Sequence, residues 1–203
     1  MPTDHTPPPI SPRAAATVVL LRDAPAGLHV LLLRRHGQAA VLGGAHVFPG
    51  GKVDAADAAL DAALHLDQPP AALHASLGEP GLDVSAACAL YVAAVREAFE
   101  ECGVLMVQGA PQLLPGDHAL PFNDMLAKHQ LCLATLDMAP WSRWITPVVP
   151  SMNNMANSRF DTRFFVAVLP AGQTALHDGH ENTESVWLAP REALQRYWDG
   201  TIT

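Results

Sequence analysis

Apolar and polar positions follow two rhythms along this chain. Ala14 to Leu21 and Leu28 to Arg35 are short apolar runs separated by Pro25 and Gly27, the pattern of two strands joined as a hairpin. Ala45 to Phe48 reads as a further short strand, stopped by Pro49-Gly50-Gly51. Ala55 to Leu66 is alanine-rich and predicts a helix that Pro69-Pro70 breaks. From Ser85 to Cys102 the spacing is helical. Cys88, Val92, Val95, Phe99 and Cys102 recur at steps of four and three, one stripe against a core. Asp83 or Ser85 can cap its start, and Gly103 stands where a helix is usually closed. Val104 to Val107 reads as a short strand or its approach, Phe122 to Leu131 as a helix, and Trp144 to Pro150 as an interrupted strand. Arg159 to Leu169 is a strong strand, Ser185 to Leu188 a short one, and Pro190 to Trp198 a helix opened by proline. Interleaved strands and helices predict an α/β (α+β) class.

Composition narrows the picture. The chain has 203 residues, 49% of them apolar and 16% charged, which suits one domain with a real core and excludes disorder as its main state. The proline-rich segment 1–13 reads as a flexible arm, leaving 14–203 as the domain. Net charge is −8, and Lys52 and Lys128 are the only lysines. No basic stripe exists for a nucleic acid backbone. An acidic protein still binds phosphates when a divalent cation lies between them. The sequence has neither a long uncharged apolar run nor the basic-then-apolar order of a secretory signal, so no membrane partner is expected. Cys88, Cys102 and Cys132 lack the spacing of a disulfide framework or a zinc knuckle and are read as structural, which fits a cytoplasmic location. Gly200 to Thr203 resembles the start of another strand, as though the polypeptide were cut short there.

Candidate chemistry concentrates in two places. Glu97, Glu100 and Glu101 stand at i, i+3 and i+4 and cluster on one helix face, roughly opposite the Val92/Val95/Phe99 stripe. Three adjacent carboxylates raise each other's pKa and do not stabilise a helix. A hard divalent cation, Mg²⁺ or Mn²⁺, removes that cost. Taken alone, such a cluster reads more readily as a solvated acidic face. The second place is Pro49-Gly50-Gly51, where glycines let backbone approach a ligand closely.

Together, Gly51 and Arg96-Glu97-Ala98-Phe99-Glu100-Glu101-Cys102-Gly103-Val104 resemble the signature of the Nudix hydrolases. Two departures stand out. Asp57 occupies the place of the signature's first glutamate, and the 38 residues from Ala58 to Val95 replace a far shorter spacer, an insertion at about 58–84. One branch of the family, the acyl-coenzyme A diphosphatases, has a long insertion at this point. The chain is similar to that branch at Gly44 to Gly51, Asp54 to Asp57, Trp144 to Pro147 and Arg159 to Phe165.

The resemblance implies a Nudix-type α/β/α sandwich with a mixed central sheet and a helical insertion. It implies Mg²⁺- or Mn²⁺-dependent hydrolysis of a small-molecule diphosphate, coenzyme A or acyl-coenzyme A, to 3′,5′-ADP and (acyl)phosphopantetheine. By the same carry-over Glu97, Glu100 and Glu101 hold the metal with the Gly50 carbonyl, Arg96 orients the carboxylates, and Gly51 lies against substrate. The general base is left open between Glu97 and a later acid, Glu181 or Glu184. Arg34, Arg35 and His36 are candidates for the 3′-phosphate of coenzyme A, with a solvated strand end as the other reading. Ala40 stands where simpler coenzyme A diphosphatases have an arginine. ADP-ribose, NADH or another nucleoside diphosphate derivative are alternative substrates, and a non-catalytic binding module is the alternative class. His46 reads as a packing residue, Phe160, Phe164 and Phe165 as core, His177 and His180 as solvated, and Asn153, Asn154 and Asn157 as pocket or turn residues. The insertion is expected to pack near the site or a partner subunit, which leaves room for a homodimer.

Overall fold

The first strand, β1 (Arg13–Ala24), organises the molecule because partners flank it on both edges. On one edge it pairs in parallel with β6 (Phe160–Val168), from Arg13↔Phe160 to Leu21↔Val168. On the other edge it begins beside β2 (Gly27–Arg35) in the expected hairpin, and then the two strands diverge. Segment 46–52 fills the split. Its first half, β3 (His46–Val47), pairs with β2, and its second half, β4 (Gly50–Lys52), pairs with β1 at Ala15, Ala16 and Thr17. The outer strands are β5 (Met138–Ile145) beside β6 and β7 (Asn182–Leu188) beside β2. The resulting sheet is mixed, as the fold class requires, and its split at β3–β4 positions the site. These features come from a computed structural model that describes residues 11–39, 42–109, 111–114, 116–147 and 159–203.

The long helix α4 (Val84–Cys102) packs on this sheet. Asp83 caps it by accepting from the Ser85 and Ala86 amides, and Gly103 closes it in the left-handed region at φ 71°. The expectation of one apolar stripe is corrected. Tyr91, Ala94 and Ala98 are as buried as Val92, Val95 and Phe99, because the helix lies between the sheet and the insertion. Its alanines, small on every side, let both layers approach. Tyr91 lies against Phe165 of β6, ring centroids 4.6 Å apart, at the centre of the core.

The insertion is helical, carrying two short helices after a first that begins ahead of it. The predicted helix from Ala55 to Leu66 is broken into α1 (Ala55–Ala59) and α2 (Ala62–His65), because Leu60 turns extended and Asp61 caps the second piece. Then α3 (Pro70–Leu77) packs on α4, burying Leu73 and joining Ser76 Oγ to Tyr91 OH at 2.6 Å. Leaving this layer, Glu79 takes an ion pair from Arg163 of β6.

Later elements follow the sequence more closely. The helix α5 (Phe122–His129) and the terminal α6 (Pro190–Trp198) form as expected. Val104 to Val107 does not form a strand; only Val107 bridges, to Leu133. The strand anticipated at Trp144 to Pro150 runs earlier, over Met138 to Ile145. Gly200 to Thr203 forms no strand, although the Thr203 carbonyl accepts from the His46 amide. Arg13, assigned to the arm by its prolines, opens β1 instead. All three cysteines are free, Cys88 and Cys102 buried and Cys132 half-buried. Among the described residues no helix is long and apolar enough to cross a membrane.

Candidate active site

The insertion departs from one part of the site and returns to another. Gly51 of β4 and Glu97 of α4 are brought together, so closely that a Cβ built on Gly51 would lie 2.6 Å from Glu97 Cδ. A Cβ on Gly50 would lie 2.6 Å from the Ala16 carbonyl oxygen. Only glycine lets β4 pass between β1 and the helix at this separation.

Arg96 is the hub. Its buried guanidinium satisfies five acceptors, the full capacity of the side chain. Nε donates to Asp57 Oδ1 at 2.8 Å and Nη2 to Asp57 Oδ2 at 3.0 Å. Nη2 also reaches the Lys52 carbonyl at 3.0 Å, and Nη1 donates to Glu97 and Glu100, both at 2.9 Å. Burial alone would weaken the charged form of Arg96, but the Asp57 hydrogen bonds and the Glu97, Asp57 and Glu100 charges outweigh it and hold the proton more tightly than usual. Asp57, only 2% exposed, also accepts from the Asp54 amide at 2.8 Å. The aspartate in place of glutamate therefore meets Arg96 directly, because α1 carries it to the guanidinium on its shorter stem.

The three glutamates differ. Glu101 is buried, and its Oε2 accepts from the Gly50 amide at 3.0 Å. Burial pushes it up to about 8, against that hydrogen bond and with help from Glu97. Burial also pushes Glu97 up to about 7, opposed by Arg96 and assisted by Glu100 and Asp57. Glu100 is half exposed. Asp57, Glu97 and Glu100 thus share one arginine with Glu101 close by, an excess of carboxylates that a divalent cation with hard oxygen ligands would neutralise. Among the described residues, no cluster of acidic side chains is already arranged around one point. Glu97 and Glu100 lie on Arg96, and Gly50 presents its amide to Glu101, whereas the sequence reading used its carbonyl. The donor set fits a cation, and the glutamates would turn from Arg96 and Gly50 to hold it.

These groups open into a cavity of about 700 Å³. Its floor comes from the paired strands β1 and β6, through Ala15, Thr17, Phe160, Thr162 and Phe164. Arg13, Arg35, Lys52, Phe48 and Glu181 stand around it. Arg13 lies over the Phe160 ring at 5.5 Å.

The sequence candidates divide between two hollows. Arg35 reaches the cavity, whereas Arg34 flanks a separate hollow of about 180 Å³ with His46, Glu184 and Arg196. The pairing of β2 with β7 shifts register between Arg34 and Arg35, and only Arg35 is directed at the cavity. Glu181 lines the cavity, whereas Glu184 pairs with Arg34 at 3.8 Å and stands outside it. His46 is half-buried beside that second hollow, and burial lowers its pKa. Phe165 is core as expected, but Phe160 and Phe164 belong to the cavity. The alternation of Phe160, Thr162 and Phe164 against Arg163, Phe165 and Ala167 was the signal for this. Nothing in the sequence pattern marked Arg13, Lys52 or Phe48. Ala40, Asn153, Asn154 and Asn157 lie outside the described residues.

With this geometry in place, the family assignment is direct. The family model described as the NUDT19 Nudix domain matches residues 12–203. The chain belongs to this Nudix family. The Nudix domain is 32% identical over 219 residues to the human protein named acyl-coenzyme A diphosphatase NUDT19, covering 87% of this chain and 57% of the relative. It is 29% identical over 240 residues to the chicken protein of the same name, covering 91% of this chain and 63% of the relative. The Nudix chain thus spans less than two thirds of the length of these curated relatives. Among solved structures, a NUDIX hydrolase from Alicyclobacillus acidocaldarius superposes with a TM-score of 0.74 at 28% identity, covering 95% of this chain and 86% of the other.

Proposed function

We propose that this Nudix domain hydrolyses the diphosphate of coenzyme A or acyl-coenzyme A, giving 3′,5′-ADP and (acyl)phosphopantetheine, with Mg²⁺ or Mn²⁺. The observation that carries the reading is the convergence of Glu97, Glu100 and Glu101 with the Gly50–Gly51 turn at one end of a cavity that also holds cationic and aromatic side chains. The names of the relatives supply the substrate class. A divalent cation bound there would offset the diphosphate's charge and activate a water.

The chain's own residues do the rest. Arg96 and Asp57 fix the helix end, so that the glutamates face the cavity. Arg35, Arg13 and Lys52 bring positive charge to phosphate groups, and Arg35 takes over the role the sequence left shared with Arg34. Phe48, Phe160 and Phe164 offer faces for a planar base. Glu181 and Glu97, which line the cavity, are assigned to receive a proton from water in preference to Glu184, which pairs with Arg34.

The test is a panel of coenzyme A, dephospho-coenzyme A, ADP-ribose and NADH with either cation. Coenzyme A should give the highest kcat/KM, and Arg35→Ala should lower it about tenfold or more while sparing dephospho-coenzyme A. Preference for ADP-ribose or NADH would overturn the substrate while leaving the diphosphatase chemistry.

A further inference from the structure

The cavity floor continues beyond the cavity. Cross-strand partners put Lys52, Ala15, Thr162 and Trp144 in one row across β4, β1, β6 and β5. Directly paired residues project from the same face of a sheet, so Trp144 stands on the cavity side. The first three members of the row line the cavity, and Trp144 extends it on the outermost strand. The neighbouring row, Gly50, Thr17, Phe164 and Ser142, runs alongside. Small side chains at Ala15, Thr17 and Thr162 leave a shallow track between the phenyl rings and the indole.

Trp144 is 71% exposed, about as exposed as Trp141 and Trp198, and is set apart from them by its place in the cavity row. Its one polar atom is already satisfied, since Nε1 donates to Ser142 Oγ at 3.0 Å. The indole is thereby held with an apolar face free at the end of the track. Charge lies on the other side of the sheet, where Arg143, Arg163, Asp161 and Glu79 pair with one another.

We propose that Trp144 is the platform on which the apolar arm of the substrate lies beyond the cavity, a specificity-determining residue for the diphosphatase reaction. The inference rests on the diphosphatase reading and deepens it. Three strand spacings of roughly 4.8 Å separate Lys52 from Trp144, about 14 Å in all. A sugar attached to the diphosphate would end inside the cavity. An acyl thioester on an extended arm runs along the track and covers the indole. A planar base has ring faces nearer the carboxylates, at Phe48, Phe160 and Phe164.

The experiment compares kcat/KM for palmitoyl-coenzyme A and free coenzyme A, below the micellar concentration, in wild type, Trp144→Ala and Trp144→Phe. Circular dichroism confirms that each variant folds. The acyl-to-free ratio should fall roughly tenfold in Trp144→Ala, equivalent to about two methylenes losing their cover, and return in Trp144→Phe. An unchanged ratio overturns the inference, whether both substrates slow together or Trp144→Ala merely separates a dimer. A wild type that releases 3′,5′-ADP from neither substrate instead defeats the functional reading. Tryptophan fluorescence then decides the arm site by itself: palmitoyl-coenzyme A in EDTA should change the emission of wild type and not of Trp144→Phe. Equal changes in both proteins refute the platform.

Discussion

Asp57 and Arg96, 39 positions apart, meet through two nearly parallel hydrogen bonds of 2.8 and 3.0 Å. Both side chains are almost completely removed from water. Loss of the carboxylate would leave a buried guanidinium with its largest compensation gone. Asp57→Ala is expected to destabilise the fold by about 3–5 kcal/mol. Asp57→Glu restores the charge but crowds a filled site, at about 1–3 kcal/mol. Urea unfolding of the three proteins should rank wild type above Asp57→Glu above Asp57→Ala. Equal midpoints for wild type and Asp57→Ala would show that the pair does not hold α1 to α4.

Glu97 and Glu101 predict an inverted pH dependence in the absence of cations. Their folded pKa values, about 7 and about 8, lie above the ordinary glutamate value. A raised carboxyl pKa gives stability that is complete below the unfolded value near 4.5 and lost as pH rises toward 7–8. Urea midpoints in EDTA should therefore fall across that window. Excess Mg²⁺ should restore stability at the alkaline end, since the cation needs both groups ionised. Titration calorimetry in two buffers of different ionisation enthalpy, near pH 6, should register proton release on binding. Flat midpoints and no proton release would contradict this account of the carboxylates.

Glu181 and Glu184 separate two versions of the chemistry. Glu181 lines the cavity, and Glu184 faces Arg34 beside another hollow. If Glu181 takes the proton, Glu181→Gln should lower kcat about 10²-fold or more, the usual scale of general base catalysis. Glu184→Gln should stay within about twofold, because it loses only an exposed ion pair. A full rate in Glu181→Gln assigns the base to Glu97.

Gly51 is expected to tolerate no side chain. A methyl there would meet the Glu97 carboxylate, so Gly51→Ala should displace that group and lower kcat about 10²-fold. Folding should survive, because the displaced group is the end of a side chain. Wild-type turnover in Gly51→Ala would mean that Glu97 is not needed where it stands.

Local signals made α4 legible, down to a cap at Ser85 or Asp83, of which the structure uses Asp83, and the Gly103 stop, because caps and helical spacing lie within a few residues of each other. The hairpin and β6 were equally plain. The break at Leu60-Asp61 was hidden by uniform alanine, which favours helix wherever tertiary packing does not intervene. The glutamates and the glycine turn were legible as a motif, but their junction across the insertion depends on β4 pairing with β1, a contact between distant residues. Choosing between Arg34 and Arg35 needed the facing of β2, which the apolar run Leu31-Leu32-Leu33 conceals because both of its faces are buried. Phe160 and Phe164 were misplaced for a different reason. A phenylalanine in a strong strand is usually core, and only the open face left by the β1–β2 split makes it a cavity wall.

Cation-dependent cleavage of a coenzyme A diphosphate by the Glu97–Glu100–Glu101 face can be read from its products. The most direct measurement incubates the purified chain with coenzyme A and Mg²⁺ and resolves the products by mass, beside EDTA and Glu101→Gln controls. The expected products are 3′,5′-ADP and phosphopantetheine in equal amounts, with none in EDTA and a rate at least about 10²-fold lower in Glu101→Gln. Cleavage that persists in the chelator, or at the wild-type rate in Glu101→Gln, would contradict that assignment.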